Sequence, residues 1–250
     1  MHPLARSLLT IATALSLSAG AGAASRDDAA GDAGAAASAE GFWIARMPNG
    51  VAVKWGILDG GETWGIYESE GTILGAFHGT THAAAGALHG TGRAFDIPSR
   101  TVGAASYTGT YFPRQAITIT TSFGASFEGR YAPSYEQPAS LAALAGRYDG
   151  EGLSSRSEVQ GMALQFADDG ALSGHAGEGC RASGRVLPRP GGRNIFNLSL
   201  RFEGPACALG DGAIVAGIAH VSTASGELFL LAMDEAKTDG WLYLGQRAAD

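Results

Sequence analysis

The chain has 250 residues, a net charge of −7 and only two lysines, Lys54 and Lys237. That excludes the dense basic stripe a nucleic-acid surface needs to displace counterions. Glycine, at 38 residues, is the main punctuation, but without a three-residue period and with only 9 prolines a collagen-like chain is excluded too.

Residues 1–23 read as a signal peptide. Arg6 supplies the positive charge, Ser7 to Ala19 is apolar or small, and Ala21-Gly22-Ala23 is the small-x-small pattern of a cleavage site. The apolar run, about a dozen residues against roughly twenty, is too short to span a bilayer. No later stretch approaches that length, so no transmembrane segment is expected in the mature chain. Residues 24–40, rich in Ala, Gly, Ser and Asp, carry no apolar period and read as a disordered leader.

Residues 41–132 form the first expected β unit. Val51, Val53, Trp55 and Ile57 fall on one face with Lys54 opposite. Ile117, Ile119, Thr121 and Phe123 alternate with Thr118 and Thr120. Period two at short spacing marks half-buried antiparallel strands. Residues 133–145 form a linker, with a helix expected from Pro138 to Ala145, started by the proline and ended by Gly146. Residues 146–247 form the second unit. There Phe196, Leu198, Leu200 and Phe202 alternate with polar residues, as do Ile214, Ala216, Ile218 and His220 with Val215, Gly217 and Val221. Trp241 and Tyr243 share a face of the last strand. Asp59-Gly60-Gly61, Asp168-Asp169-Gly170 and Asp239-Gly240 supply turn chemistry at the joints.

Each unit opens on a glycine followed by aromatics, Gly41-Phe42-Trp43 and Gly146-Arg147-Tyr148, and closes on aromatic and glycine. The fold class is therefore all-β and antiparallel: two tandem β-meander or small barrel-like units joined by a short helix. Two barrels in series and two meanders sharing one sheet both remain open.

Two cysteines, Cys180 and Cys207, flank a long hairpin whose turn is Pro188-Arg189-Pro190-Gly191-Gly192. Folding it back brings them within the roughly 4.4–6.8 Å Cα separation of a disulfide. Two cysteines in an exported chain are expected to be bonded, and exposure to an oxidising compartment follows.

Several motifs carry a resemblance. Gly146-Arg147-Tyr148-Asp149-Gly150, Asp169-Gly170-Ala171-Leu172-Ser173-Gly174, Gly179-Cys180-Arg181, Asn194-Ile195-Phe196, Pro205-Ala206-Cys207 and Thr238-Asp239-Gly240-Trp241 resemble a poorly characterised family of exported bacterial envelope proteins, many of them lipoproteins. Phe95-Asp96-Ile97, Arg100-Thr101-Val102-Gly103 and Phe127-Glu128-Gly129 are loosely similar to the small barrel domain of transferrin-binding-protein-like surface lipoproteins. The resemblance implies the fold and an envelope setting. The acylated cysteine is lacking, so membrane anchoring does not carry over.

Motifs for chemistry are sparse. His78, His82 and His89 form the one histidine cluster, and on a strand His78 and His82 share a face. With Glu68 or Glu70 they could hold zinc, but the spacing matches no zinc signature, and exposed polar residues on glycine-rich strands are the simpler reading. No nucleophile elbow or phosphate loop is present, and Glu128 and Glu158 look no different from surface charge. No cofactor is implied. The expectation is a periplasmic or secreted, non-catalytic binding or assembly module, its partner an unidentified envelope protein or small ligand. The alternatives are a structural component acting through sheet edges and a metal-dependent envelope hydrolase using the three histidines.

Overall fold

A computed structural model describes residues 38–155, 157 and 160–249. The expected signal peptide, leader residues 24–37 and Glu158 lie outside the described residues. The first unit comprises β1 (Gly41–Arg46), β2 (Ala52–Ile57), β3 (Glu62–Ser69), β4 (Thr72–Ala84), β5 (Ala87–Asp96), β6 (Thr101–Phe112), β7 (Ala116–Thr121) and β8 (Ser126–Tyr131). The second comprises β9 (Gly146–Ser154), β10 (Gln160–Phe166), β11 (Ala171–Ala176), β12 (Cys180–Pro188), β13 (Phe196–Glu203), β14 (Ile214–Val221), β15 (Glu227–Met233) and β16 (Gly240–Arg247). Every pairing is antiparallel, and each unit closes into its own eight-stranded up-and-down barrel, β8 returning to β1 and β16 to β9. The two units therefore stand in series rather than sharing a sheet.

The alternation seen in the sequence fills both barrels. Trp43, Val53, Trp55, Tyr67, Phe77, Tyr107, Ile117 and Phe127 form the first interior. Tyr148, Leu164, Phe196, Leu198, Leu200, Phe202, Trp241 and Tyr243 lie in the second. Eight strands leave a bore just wide enough for side chains, and inward glycines make room for the largest. A Cβ on Gly65 would lie 2.4 Å from the Trp55 ring, and one on Gly90 would lie 2.2 Å from that of Tyr107. Trp55 is thus core, not a ligand platform.

A third apolar cluster joins the barrels. Phe42, Trp64, Ile66, Ile73 and Phe95 from the first pack against Leu153, Ile218, Phe229, Leu231 and Leu242 from the second. This explains β15, where Leu228-Phe229-Leu230-Leu231-Ala232-Met233 is buried throughout. Its even and odd residues face two different cores, so the run is continuous rather than alternating. On β14, Val215, Ala219 and Val221 face the barrel interior, whereas Ile218 faces the seam. Ion pairs bridge the seam as well. Lys54 Nζ lies 3.0 Å from Glu68 and 2.7 Å from Glu227, and Arg189 Nη2 lies 2.6 Å from Glu62. Arg193, in the turn between β12 and β13, pairs with Glu136 of the linker and lies 3.6 Å from Glu40.

Three sequence expectations need correction. The helix, α1, runs only from Leu141 to Leu144; Ser140 caps it, its Oγ accepting from the Ala143 N–H at 3.3 Å. Pro138 lies outside it, and Pro133–Glu136 forms a separate 3-10 turn. Phe123 is not on a strand: β7 ends at Thr121, whose hydroxyl and N–H both bond the Ala125 carbonyl across a tight turn. Finally, the fold begins before Gly41. Ala39 is buried and its carbonyl accepts from Trp43 Nε1 at 3.3 Å, while Glu40 accepts from the Tyr135 hydroxyl at 2.9 Å.

Candidate functional site: the cleft between the barrels

Both bores are filled, and a cleft of about 760 Å³ lies between the barrels. β3 and β4 of the first barrel form one wall. The other comes from β13, β14, the end of β15 and the turn after it. Trp64, Ile214 and Met233 give the cleft apolar surface, and Ile214 is 55 % exposed at its rim. Its polar centre is Glu62. That carboxylate accepts from Trp64 Nε1 at 2.9 Å and from Arg189 Nη2 at 2.6 Å, and Arg189 also donates to Asn197 Oδ1 at 3.2 Å. Lys237, in the turn after β15, lines the cleft as well.

His78 sits in this wall with its ring 4.1 Å from that of Trp64 and its Nε2 3.9 Å from Glu62. Burial, helped by the charge of Lys237 and opposed by Glu62, lowers its pKa to about 4. It is therefore neutral at neutral pH, and its approach to Glu62 is not an ion pair there.

The other two histidines of the cluster lie elsewhere. His82 and His89 face each other across β4 and β5, exposed and stacked 5.2 Å apart. His78 shares their strand face but stands four residues away, about 13 Å along β4. The three do not converge, and among the described residues no group of three or more His, Cys, Asp or Glu is placed to hold a metal ion. Glu68 is held by Lys54, and Glu70 lies in the turn between β3 and β4. Cys180 and Cys207 are joined in a disulfide with Cα atoms 4.8 Å apart. The bond ties the loop after β13 to the start of β12, and both cysteines are buried, so it is structural.

Closure leaves little free sheet edge. The longest bare stretch among the described strands is Thr101–Ala105 of β6, which pairs with β5 on one flank while β7 pairs only from Tyr107 onward. Backbone groups alternate in direction along a strand. Tyr111 donates toward the β5 side and Ser106 toward Ser122, so Val102 and Ala104 aim their N–H and C=O at the bare flank. A slot of about 420 Å³ lies beside it, walled by Ala94, Gly103, Ala105, Tyr67 and Phe123. The Tyr67 hydroxyl is buried without a hydrogen-bond partner among the described residues.

Much of this escaped sequence reasoning. Glu62 sits in no motif and Arg189 figures only in a turn; the two meet only because two barrels dock. Asp239, read as a turn residue, is buried and accepts from the Ser155 N–H at 3.1 Å and from its hydroxyl at 2.5 Å. One signal was available: the only two lysines, Lys54 and Lys237, both end up where the barrels meet.

No protein-family model matches the chain, and no curated protein does. They therefore give no support to the lipoprotein and transferrin-binding-protein-like resemblances. Among solved structures, the chain is similar to a protein of unknown function from the DUF3598 family of Nostoc punctiforme. Identity is 10 %, the match covers 84 % of this chain and 96 % of that one, and the TM-score is 0.30. A likeness this slight informs neither mechanism nor ligand. No described helix is long and apolar enough to cross a membrane.

Proposed function

We propose that this chain is an exported, non-catalytic binding module that holds a small amphipathic molecule in the cleft between its barrels. The observation that carries this reading is the contrast between two packed bores and the open, mixed-lining cleft where the barrels meet. Pockets that combine an apolar wall with a few fixed polar groups are the usual form of a small-molecule site. Here Trp64, Met233 and Ile214 offer the apolar wall, and the Glu62–Arg189–Asn197 network offers fixed acceptors and donors for a polar head. Export is supported by the leader composition and agrees with the disulfide. The neutral dye Nile red tests the site. It should bind one-to-one with a blue-shifted emission, and Ile214→Asp should weaken it at least tenfold. Absence of saturable dye binding, together with no small molecule released on denaturation and mass spectrometry, would overturn the reading.

A second reading, assembly through a sheet edge, is favoured by one specific observation, the bare flank of Thr101–Ala105. A partner pairing there needs the N–H of Ala104, so Ala104→Pro should abolish capture of that partner while leaving Nile red binding unchanged.

A further inference from the structure

Two buried histidines lie on the outer faces of the barrels, where they meet. His78, on β4, is 9 % exposed in the cleft wall. His220, on β14, is 5 % exposed and is sandwiched in the seam, its ring 4.7 Å from Phe42 of the first barrel and 5.0 Å from Phe229 of its own. Its Nε2 has no hydrogen-bond partner among the described residues. The remaining described histidines, His82, His89 and His175, are exposed, so neither bore contains one.

The charged groups around both rings are few. Lys54 on β2 disfavours a cationic His220, and Lys54 is itself engaged by Glu68 on β3 and Glu227 on β15. His78 faces Glu62 on β3, Arg93 opposite it on β5, Arg189 in the turn before β13, and Asp234, Glu235 and Lys237 in the turn after β15. Glu62 favours its cationic form, against burial and Lys237. Burial is the larger cause for both rings, and each is held near pKa 4 in place of the usual 6.5.

We propose that the seam is an acid-opened hinge: protonation of His78 and His220 parts the two barrels and widens the cleft without unfolding either one. A charged imidazolium wedged between Phe42 and Phe229, with Nε2 lacking a hydrogen-bond partner among the described residues, carries a desolvation cost that opening removes. Each barrel, by contrast, keeps its own closed ladder and packed bore. Opening lets both rings titrate at their ordinary value. The open form therefore binds up to two more protons than the closed one between pH 6.5 and about 4. The closed form is fully favoured above pH 6.5 and loses up to about 100-fold per pH unit as pH falls through that window, then levels off. Parting the barrels stands whether or not the cleft binds a ligand; acid release of a ligand rests on the reading above.

Small-angle scattering of the processed full chain from pH 7.5 to 3.5, with far-UV circular dichroism on the same samples, tests the hinge. The radius of gyration should rise by about 3 Å from the roughly 17 Å of a compact chain of this length, with the β spectrum unchanged. His220→Phe keeps the ring stack and should cut the steepness about tenfold per pH unit; His78→Gln should do the same independently, and the exposed control His89→Gln should behave as wild type. An unchanged radius to pH 3.5, loss of the β spectrum in step with expansion, or wild-type behaviour of both single variants overturns the hinge. Nile red is followed in parallel. Expansion with no dye bound at any pH leaves the hinge standing and removes the binding reading; bound dye with no expansion does the reverse.

Discussion

Tyr67 puts a hydroxyl inside the first barrel, and that hydroxyl bonds to nothing among the described residues. Burial pushes its pKa far up, so it is a neutral phenol at any ordinary pH. An unpaired buried hydroxyl costs about 1–3 kcal/mol. Tyr67→Phe should therefore raise stability by about 1 kcal/mol in urea unfolding, and a loss instead would mean that the hydroxyl has a partner. Its neighbour Tyr107 is the opposite case, hydrogen-bonded to Thr81, which bonds Thr63 in turn. Lys54 makes a second prediction of this kind. It separates Glu68 from Glu227 with little exposure of its own. Replacing it by Met leaves two carboxylates facing each other across the seam, and stability should fall by about 2 kcal/mol at neutral pH. That loss should shrink as added salt screens the repulsion, which urea titrations at two ionic strengths would show.

Among the elements, β6 makes the most specific prediction. The N–H of Ala104 faces the bare flank, whereas that of Ala105 points to β5. Proline is tolerated where an edge N–H is unused and costs about 3 kcal/mol or more where it breaks a ladder. Ala104→Pro should unfold within about 1 kcal/mol of wild type, and Ala105→Pro should be severely destabilised; equal effects would mean the register is wrong. The strands away from the seam were legible because one face of each is wet. Phe196-Asn197-Leu198-Ser199-Leu200-Arg201-Phe202 alternates cleanly in burial, as its sequence does. β15 breaks that rule because both of its faces are dry, and its unbroken apolar run, Leu228 to Met233, was the sign of a second core that alternation does not register. The helix was over-read because proline and alanine mark helical propensity, whereas the Ser140 cap sets where it starts. The cleft was illegible for a different reason. Its residues come from both barrels and become neighbours only on docking, which leaves no local spacing to read.

For the molecule as a whole, the disulfide and the seam act on different parts of stability. Cys180 and Cys207 close a loop with a sequence separation of 27. Replacing both by Ala should cost roughly 2–4 kcal/mol, confined to the second barrel. Hydrogen exchange would test this: faster exchange in β12 and β13 with β2 and β3 unchanged is expected, and uniform loss across both barrels would show that they unfold as one unit. Two barrels, a buried seam and an open cleft make a molecule whose parts are individually closed and jointly hinged.

Arg193 reaches three places at once: Glu136 in the connector, Glu40 just ahead of the first strand, and the Tyr135 ring, 5.8 Å from its guanidinium. The knot that holds the halves together thus includes Glu40, immediately ahead of β1. Removing the Glu40 carboxylate alone, as in Glu40→Gln, would cut one strand of that knot and leave the Arg193–Glu136 pair in place. The residue just ahead of the first strand is therefore a lever on how the two halves sit.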